Sequence, residues 1–261
     1  MTAINTAFSG SGFKFPAHVG ALSALLKAGL IPEEVAGTSG GSIVAALYAC
    51  GHDIDSLVEL TMNNDWSSML TPTPSSWPGI SWCNGNNLHE WLLQMTEEKT
   101  FIELDHDLTV IASDVKAEKP FEFSRYATPH ALIADAVRAS TSIPFVYEPF
   151  NYDGIQMVDG GLSNNIPIDR LTRARPRIGI QLVANDTSPL TLLNRPMHML
   201  NLMMNASEAA HIDIASLEGA QVAFVETGYA SSLDRNMNKA TRQRLFNAGG
   251  MAVQSFIGGF K

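Results

Sequence analysis

A serine within a glycine-rich turn is the residue of this sequence best placed to do chemistry. Gly37, Ser39 and Gly41 form the pattern G-x-S-x-G. A strand-like approach from Glu34 precedes the turn, and the apolar run 42–50 after it is typical of a buried helix. A strand, a sharp turn and a helix together form a nucleophile elbow, which lifts the serine oxygen clear of the backbone near the helix N-terminus. On spacing alone, a plain turn whose serine caps the helix is the better interpretation, so other residues must decide.

A nucleophilic serine needs a base, usually a histidine that a carboxylate orients. None of the seven histidines stands in a sequence context that marks a base or a metal ligand: His18, His52, His89, His106, His130, His198 and His211. Asp159 differs, because it follows the strand-like segment 155–158 and is freed by two glycines. Its carboxylate could reach Ser39 if its surroundings raise its pKa, or if it partly orients the hydroxyl. We expect neither a metal nor a cofactor.

A second glycine-rich loop, residues 9–14, lies between a predicted strand at 4–8 and a predicted helix at 16–28. Such a loop could cradle a phosphate, but Phe15 occupies the last glycine position of G-x-G-x-x-G, and no Walker lysine spacing is present. Its backbone N–H groups could instead form an oxyanion hole, which acyl transfer requires. We favour the oxyanion hole because a candidate nucleophile follows at the next strand–helix junction.

Successive strand–loop–helix units predict a parallel sheet with helices on its faces. The 261 residues are 45% hydrophobic, which indicates a single globular domain over 1–261. The net charge of −9 argues against a nucleic-acid partner and against simple electrostatic adhesion to anionic lipid. Two cysteines do not indicate a disulfide framework. Without a recognisable signal peptide or transmembrane segment we expect a cytoplasmic protein by default, although export without a cleavable signal leaves no mark.

A tryptophan-rich insert or lid is predicted at about residues 52–100. It holds all four tryptophans, at positions 66, 77, 82 and 91, and a proline-rich loop. Such a loop could be a functional lid that touches a membrane surface, since tryptophan favours apolar–aqueous boundaries. Packing of the rings beneath the insert is the more favoured interpretation. From about residue 189 the chain is predicted to be mainly helical, with a methionine-rich stretch at 197–204 that we assign to the core.

In three blocks, the sequence resembles the patatin-like phospholipases, serine lipid acyl hydrolases with a Ser-Asp dyad and no catalytic histidine. The segment 10–14 is similar to the family's oxyanion loop G-G-G-x-R/K-G, although Ser11 and Phe15 replace two glycines while Lys14 keeps the positive charge. The turn 37–41 matches the elbow, and Asp159-Gly160-Gly161 with the following Asn165-Ile166-Pro167 matches the D-G-G/A block. The segment 139–144 also fits the family's pattern, and the resemblance covers about residues 4–184.

The resemblance implies a three-layer α/β/α sandwich around a mainly parallel sheet. It implies Ser39 as nucleophile, Asp159 as its partner, and backbone N–H groups of Gly10, Ser11 and Gly12 as the oxyanion hole. The implied substrate is a phospholipid or lysophospholipid, cleaved through an acyl-enzyme, and no metal is required. Peripheral membrane contact through the tryptophan-rich insert is compatible with this substrate.

Three alternatives to a lipid hydrolase stay open from the sequence. The protein could be an esterase or thioesterase that acts on soluble acyl groups. It could be an acyltransferase, because the acyl-enzyme is common to both reactions. It could also be a non-catalytic lipid- or protein-binding module on the same fold, although retention of both Ser39 and Asp159 argues against that. The sequence does not indicate whether a protein activator is needed.

Overall fold

A mixed β-sheet is the centre of the fold in the computed structural model, which describes residues 1–73, 81–183 and 195–257, and only the backbone of 195–197. Within these residues the sheet has eight strands: β1 (Thr2–Phe8), β2 (Leu30–Thr38), β3 (Asp107–Asp114), β4 (Lys119–Ser124), β5 (Phe150–Tyr152), β6 (Ile155–Asp159), β7 (Arg177–Val183) and β8 (Gln221–Glu226). Seven α-helices accompany them: α1 (Pro16–Lys27), α2 (Gly40–Ala49), α3 (Ile54–Asn63), α4 (Asn86–Met95), α5 (Ile133–Ser140), α6 (Arg195–Leu217) and α7 (Lys239–Ile257).

The strands follow the hydrogen-bonded order β5-β6-β3-β2-β1-β7-β8, and β4 also pairs with β3. The pairs β1–β2, β2–β3, β1–β7 and β7–β8 are parallel. The pairs β3–β4, β3–β6 and β5–β6 are antiparallel. The predicted α/β fold with a mainly parallel sheet is therefore confirmed.

Both faces of the sheet are covered, which produces three layers. Neighbouring residues of one strand point to opposite faces, so Phe8 belongs to the large core with α1, α2, α5 and α7, while Ala7 belongs to a smaller cluster. That second cluster contains Ile166, Ile168 and Ala215 of α6. Helix α6 and the segment before β7 thus form the layer on the second face.

The register of β3 explains how residues 120 positions apart come together. Strand β4 pairs with residues 109–114 along one edge of β3, so β2 and β6 share the other edge. On that edge Thr38, the last residue of β2, pairs with Ile111, and Asp159, the last residue of β6, pairs with the adjacent Ala112. Because β2 and β6 run in opposite directions and end at neighbouring positions, the residues that leave them meet at one point.

The insert at 52–100 contains α3, the 3₁₀ turn Trp66–Leu70 and α4. Trp66 is buried and Trp91 half-buried, with their rings in edge-to-face contact at 5.3 Å between centroids. Trp82 is exposed, and Trp77 lies outside the described residues. Packing beneath the insert therefore accounts for two of the tryptophans.

The assignment of the methionine-rich stretch to the core was wrong. Met199 and Met203 are 60% and 56% exposed, and Met204 is half-buried, while the side chain of Met197 is not described. Helix α6 packs inward through other positions, among them Ala215 and the hydrogen-bonding side chains of Ser207 and His211.

Strand β8 was also missed, because the region after 189 was predicted as mainly helical. None of the helices within the described ranges is long and apolar enough to cross a membrane.

Candidate active site

Ser39 occupies a strained turn between β2 and α2. Its φ of 50° and ψ of −127° lie in a region that non-glycine residues rarely adopt. Gly37 and Gly41 make the turn possible, since a Cβ on either residue would overlap neighbouring backbone atoms. The Ser39 N–H donates to Ser140 Oγ at 2.8 Å, and Ser140 Oγ donates to the carbonyl of Ile111 at 2.6 Å. This relay ties the turn to β3 and leaves Ser39 Oγ at the start of α2.

Ser39 and Asp159 form a direct hydrogen bond. Ser39 Oγ donates to Asp159 Oδ2 at 2.7 Å, and the Gly161 N–H donates to Asp159 Oδ1 at 2.8 Å. The Asp159 N–H donates to the carbonyl of Ser142, and its own carbonyl accepts from Ser113 Oγ, so the residue is held on both sides of its backbone. Burial raises the pKa of Asp159 to about 6, against the lowering effect of the hydrogen bonds from Ser39 and Gly161.

The glycine-rich loop lies directly against the first residue of α2. A Cβ on Gly40 would overlap the Oγ of Ser11 and the carbonyl oxygen of Gly12, and would lie 2.9 Å from the Gly12 nitrogen. The Gly10 N–H donates to the carbonyl of Asn165 at 3.0 Å. The N–H groups of Ser11, Gly12 and Gly40 make no hydrogen bond with any residue that the structure describes. These three donors therefore lie beside Ser39 with their hydrogen-bonding capacity unused there.

A cluster of buried polar side chains holds this loop in place. Lys14 is 3% exposed, its Nζ donates to Thr227 Oγ1 at 3.1 Å, and burial lowers the pKa of Lys14 to about 8. Asn165 Nδ2 donates to Glu208 Oε2 of α6 at 2.6 Å, while the carbonyl of the same Asn165 holds Gly10. Glu208, which was not predicted from the sequence, helps to hold the loop through Asn165. It lies on α6, far along the chain from the loop, so no sequence motif around it indicates this contact.

Three of the histidines, His18, His89 and His211, contact partners other than Ser39. His18 is fully buried under the loop with Nε2 at 2.8 Å from the carbonyl of Ser9, and burial lowers its pKa to about 3. His89 contacts Asp135 at 2.7 Å, and His211 Nε2 lies 3.2 Å from the carbonyl of Ser163. Within residues 1–73, 81–183 and 195–257, no three His, Cys, Asp or Glu side chains are grouped so that they could hold a metal ion.

An apolar cavity that opens to solvent includes Ser39 in its lining. Its partly exposed rim includes Phe13, Ile143 and Leu233. Its buried part is lined by aromatic and aliphatic side chains from the end of the loop, from α2, from the insert and from the segment after α5: Phe15, Ile43, Trp66, Met69, Leu70, Leu88 and Tyr147. The insert thus builds part of the cavity wall.

Phe15, which replaces the last glycine of the family's loop, forms part of that wall. Its ring meets the Trp66 ring edge-to-face at 4.7 Å between centroids, and both side chains are almost completely buried. The structure therefore places these two aromatic side chains of the cavity wall against each other.

Residues 6–172 match the protein family described as Patatin-like phospholipase. The uncharacterized protein YqhO of Bacillus subtilis is 27% identical over 284 residues, which cover 97% of this chain and 98% of YqhO. Lysophospholipase nte1 of Aspergillus fumigatus is 24% identical over 176 residues, which cover 65% of this chain but 11% of that much longer protein.

A solved structure, that of VipD from Legionella pneumophila, is similar over 99% of this chain and 67% of VipD. The TM-score is 0.66 and the sequence identity 15%. At this identity the likeness supports the fold alone.

Proposed function

Because the chain belongs to the patatin-like phospholipase family, we propose that it hydrolyses fatty acyl esters of phospholipids or lysophospholipids. The observation that carries this proposal is an apolar cavity whose lining includes a serine hydrogen-bonded to a buried carboxylate. An apolar cleft with a few converging polar groups is the usual form of a small-molecule site. A cavity wall this apolar suits an acyl chain rather than a polar acyl group.

In the first step, Ser39 Oγ attacks the ester carbonyl carbon while its proton passes to Asp159 Oδ2. The carbonyl π electrons move to oxygen, and we assign to the unused N–H groups of Ser11, Gly12 and Gly40 the role of donating to that oxyanion. We give this role to Ser11 and Gly12 ahead of Gly10, whose N–H already has an acceptor. When the intermediate collapses, the C–O bond to the leaving alcohol breaks and Asp159 returns the proton to that oxygen.

In the second step, water hydrolyses the acyl-enzyme. Asp159 accepts a proton from the attacking water, and the same donors hold the second oxyanion. Collapse breaks the bond to Ser39 Oγ, which recovers the proton, and the fatty acid leaves. The mechanism uses one carboxylate in both steps, and its raised pKa makes it a stronger base than an ordinary aspartate.

The assay that tests this function compares fatty acid release by the wild type and by Ser39→Ala. The substrates are a short-chain soluble ester, lysophosphatidylcholine and phosphatidylcholine. We expect the wild type to release fatty acid from at least one lipid and the variant to lose all detectable activity. Turnover of the soluble ester that equals or exceeds turnover of both lipids would contradict a lipid substrate and favour an esterase.

The rate is expected to depend on pH through Asp159. The carboxylate must be ionised to accept a proton, and its pKa is raised to about 6. We therefore expect kcat/KM for a soluble ester to be constant above pH 6 and to fall about tenfold for each pH unit below it. An inflection near pH 4 would show an unperturbed carboxylate as the base. Chromatographic measurement of the released alcohol, which does not depend on the ionisation of the product acid, follows the rate at each pH.

A further inference from the structure

Two exposed aromatic side chains, those of Trp82 and Phe145, lie on segments next to residues that line the cavity. Phe145 lies between Ile143 and Tyr147, which both line the cavity, yet its own side chain is 49% exposed. Trp82 is 53% exposed, and its backbone N–H donates to the carbonyls of Phe145 and Val146, each at 3.1 Å. The two rings therefore belong to adjoining segments at the cavity rim and leave a large part of their apolar surface in water.

The backbone of Phe145 is strained. Its φ of 69° lies in the left-handed region, where a bulky side chain is rare and unfavourable. Strain of this kind persists only where the surroundings enforce it, and it is concentrated at functional sites. Such a conformation lowers the stability of the fold in two ways, through its unfavourable backbone angles and through the apolar surface that it leaves in water. This combination indicates that the outward ring has a use outside folding.

The two segments are fixed together beneath the rings. Arg138 is 2% exposed, and its guanidinium donates to the carbonyls of Asn84 at 2.7 Å, Gly85 at 3.1 Å and Glu148 at 3.2 Å. The Cys83 N–H also donates to the carbonyl of Val146 at 2.9 Å. The rings at 82 and 145 thus extend from a rigid support.

We infer that Trp82, Phe145 and Arg235, which we call the mouth surface, dock onto a lipid surface of neutral headgroups such as phosphatidylcholine. Tryptophan and phenylalanine gain by entering the apolar–aqueous boundary. The guanidinium of Arg235 donates from Nη1 to the carbonyl of Leu70 and lies over the Trp82 ring at 5.6 Å from its centroid, and its other N–H groups can meet a headgroup phosphate. The net charge of −9 opposes docking to a strongly anionic surface.

The position of the mouth surface is the main argument for a lipid as its occupant. Phe145 lies between Ile143 and Tyr147, which line the same cavity as Ser39, and the backbone of Trp82 is hydrogen-bonded to that of Phe145. An acyl chain can then pass from the lipid layer into the cavity without crossing water. The inference rests on the proposed function for its substrate, but docking itself can be measured without catalysis.

Phe145→Asn is the sharpest variant, because asparagine tolerates the left-handed conformation while it removes the ring. Tyr126→Asn is its matched control. Tyr126 is 80% exposed, and it follows Arg125, which pairs with Asp107 at the N-terminal end of β3, away from the strand ends that meet at Ser39. Trp82→Asn is a second variant, in case the first does not fold. The measurements are co-flotation with phosphatidylcholine vesicles and hydrolysis of a soluble short-chain ester.

We expect Phe145→Asn and Trp82→Asn each to weaken the vesicle partition coefficient at least about tenfold, the effect of withdrawing a large apolar side chain from a lipid phase. Turnover of the soluble ester should be unchanged, and Tyr126→Asn should behave as the wild type. Unchanged partition in both mouth variants, or a wild type that does not bind vesicles, would overturn the inference. A wild-type dimer that the mouth variants dissociate would also overturn it and assign the surface to a second copy of the chain.

The two proposals fail in different ways. If the wild type binds vesicles but hydrolyses neither lipid nor soluble ester, the proposed function fails and the mouth surface stands as a lipid-binding surface. If the wild type hydrolyses the soluble ester but does not bind vesicles, the docking inference fails.

Discussion

Asp159→Asn is expected to lower kcat/KM for a soluble ester by about 10³-fold or more, within the range set by loss of a positioned base. Asparagine has nearly the same shape, so the Gly161 N–H keeps an acceptor, but the amide has no capacity to take the proton of Ser39. Steady-state kinetics at pH 8 make the measurement. Residual activity within about tenfold of the wild type would show that another group is the base.

Two controls separate this loss from misfolding and from a histidine mechanism. The folded pKa of Asp159 is raised above its unfolded value of 3.8, so its ionisation lowers stability as the pH rises through about 6. At pH 8 the neutral asparagine removes that penalty, and the melting temperature should not fall. Asp135→Asn removes the carboxylate charge beside His89, and it should leave kcat/KM within about twofold of the wild type because that pair does not touch Ser39.

Gly249→Ala is expected to lower the free energy of unfolding by about 1–3 kcal/mol or more, the usual cost of overpacking. Helices α1 and α7 cross so closely that a Cβ on Gly249 would overlap the carbonyl oxygen of Ala17. The reciprocal contact is equally close, since a Cβ on Gly20 would overlap the carbonyl oxygen of Phe246. Backbone atoms on both helices have to move to admit either methyl group.

Gly250→Ala is the matched control, because it changes the adjacent residue of the same helix. Its Cβ would meet the carbonyl oxygen of Gly20 at 3.6 Å, an ordinary contact. There alanine should raise the free energy of unfolding by up to about 1 kcal/mol through helix propensity. Urea unfolding monitored by circular dichroism compares the two variants. If both substitutions change the free energy of unfolding in the same direction, α1 and α7 are not packed as described.

The architecture could be predicted because it depends on short-range patterns. Glycine-rich turns, alternating strands and helices and their order along the chain indicate an α/β sheet, and the structure confirms it. The adjacency of Ser39 and Asp159 depends on β2 and β6 ending side by side on β3. That register is a long-range property, and no local pattern in the sequence specifies it. The roles of Ser39 and Asp159 stay predictions, as does the assignment of 1–261 to one domain.

The errors have a common physical origin. Helical spacing in the methionine-rich stretch shows which side chains share a face, but it does not show whether that face meets the protein or the solvent. Met199, Leu202 and Met203 share the outer face of α6. Strand β8 is six residues long, and its Phe224 is 54% exposed, so the apolar alternation that marks a half-buried strand is weak. The cavity wall likewise combines residues far apart in sequence.

Covalent labelling tests the central claim most directly. A fluorophosphonate reacts with a serine only where a neighbouring base activates its hydroxyl, and peptide mass spectrometry locates the adduct. We predict one phosphonyl adduct on Ser39, loss of ester hydrolysis in proportion to labelling, and labelling of Asp159→Asn slowed in step with its kcat/KM. An adduct on another residue that abolishes activity, or full hydrolysis by protein labelled at Ser39, would contradict the account.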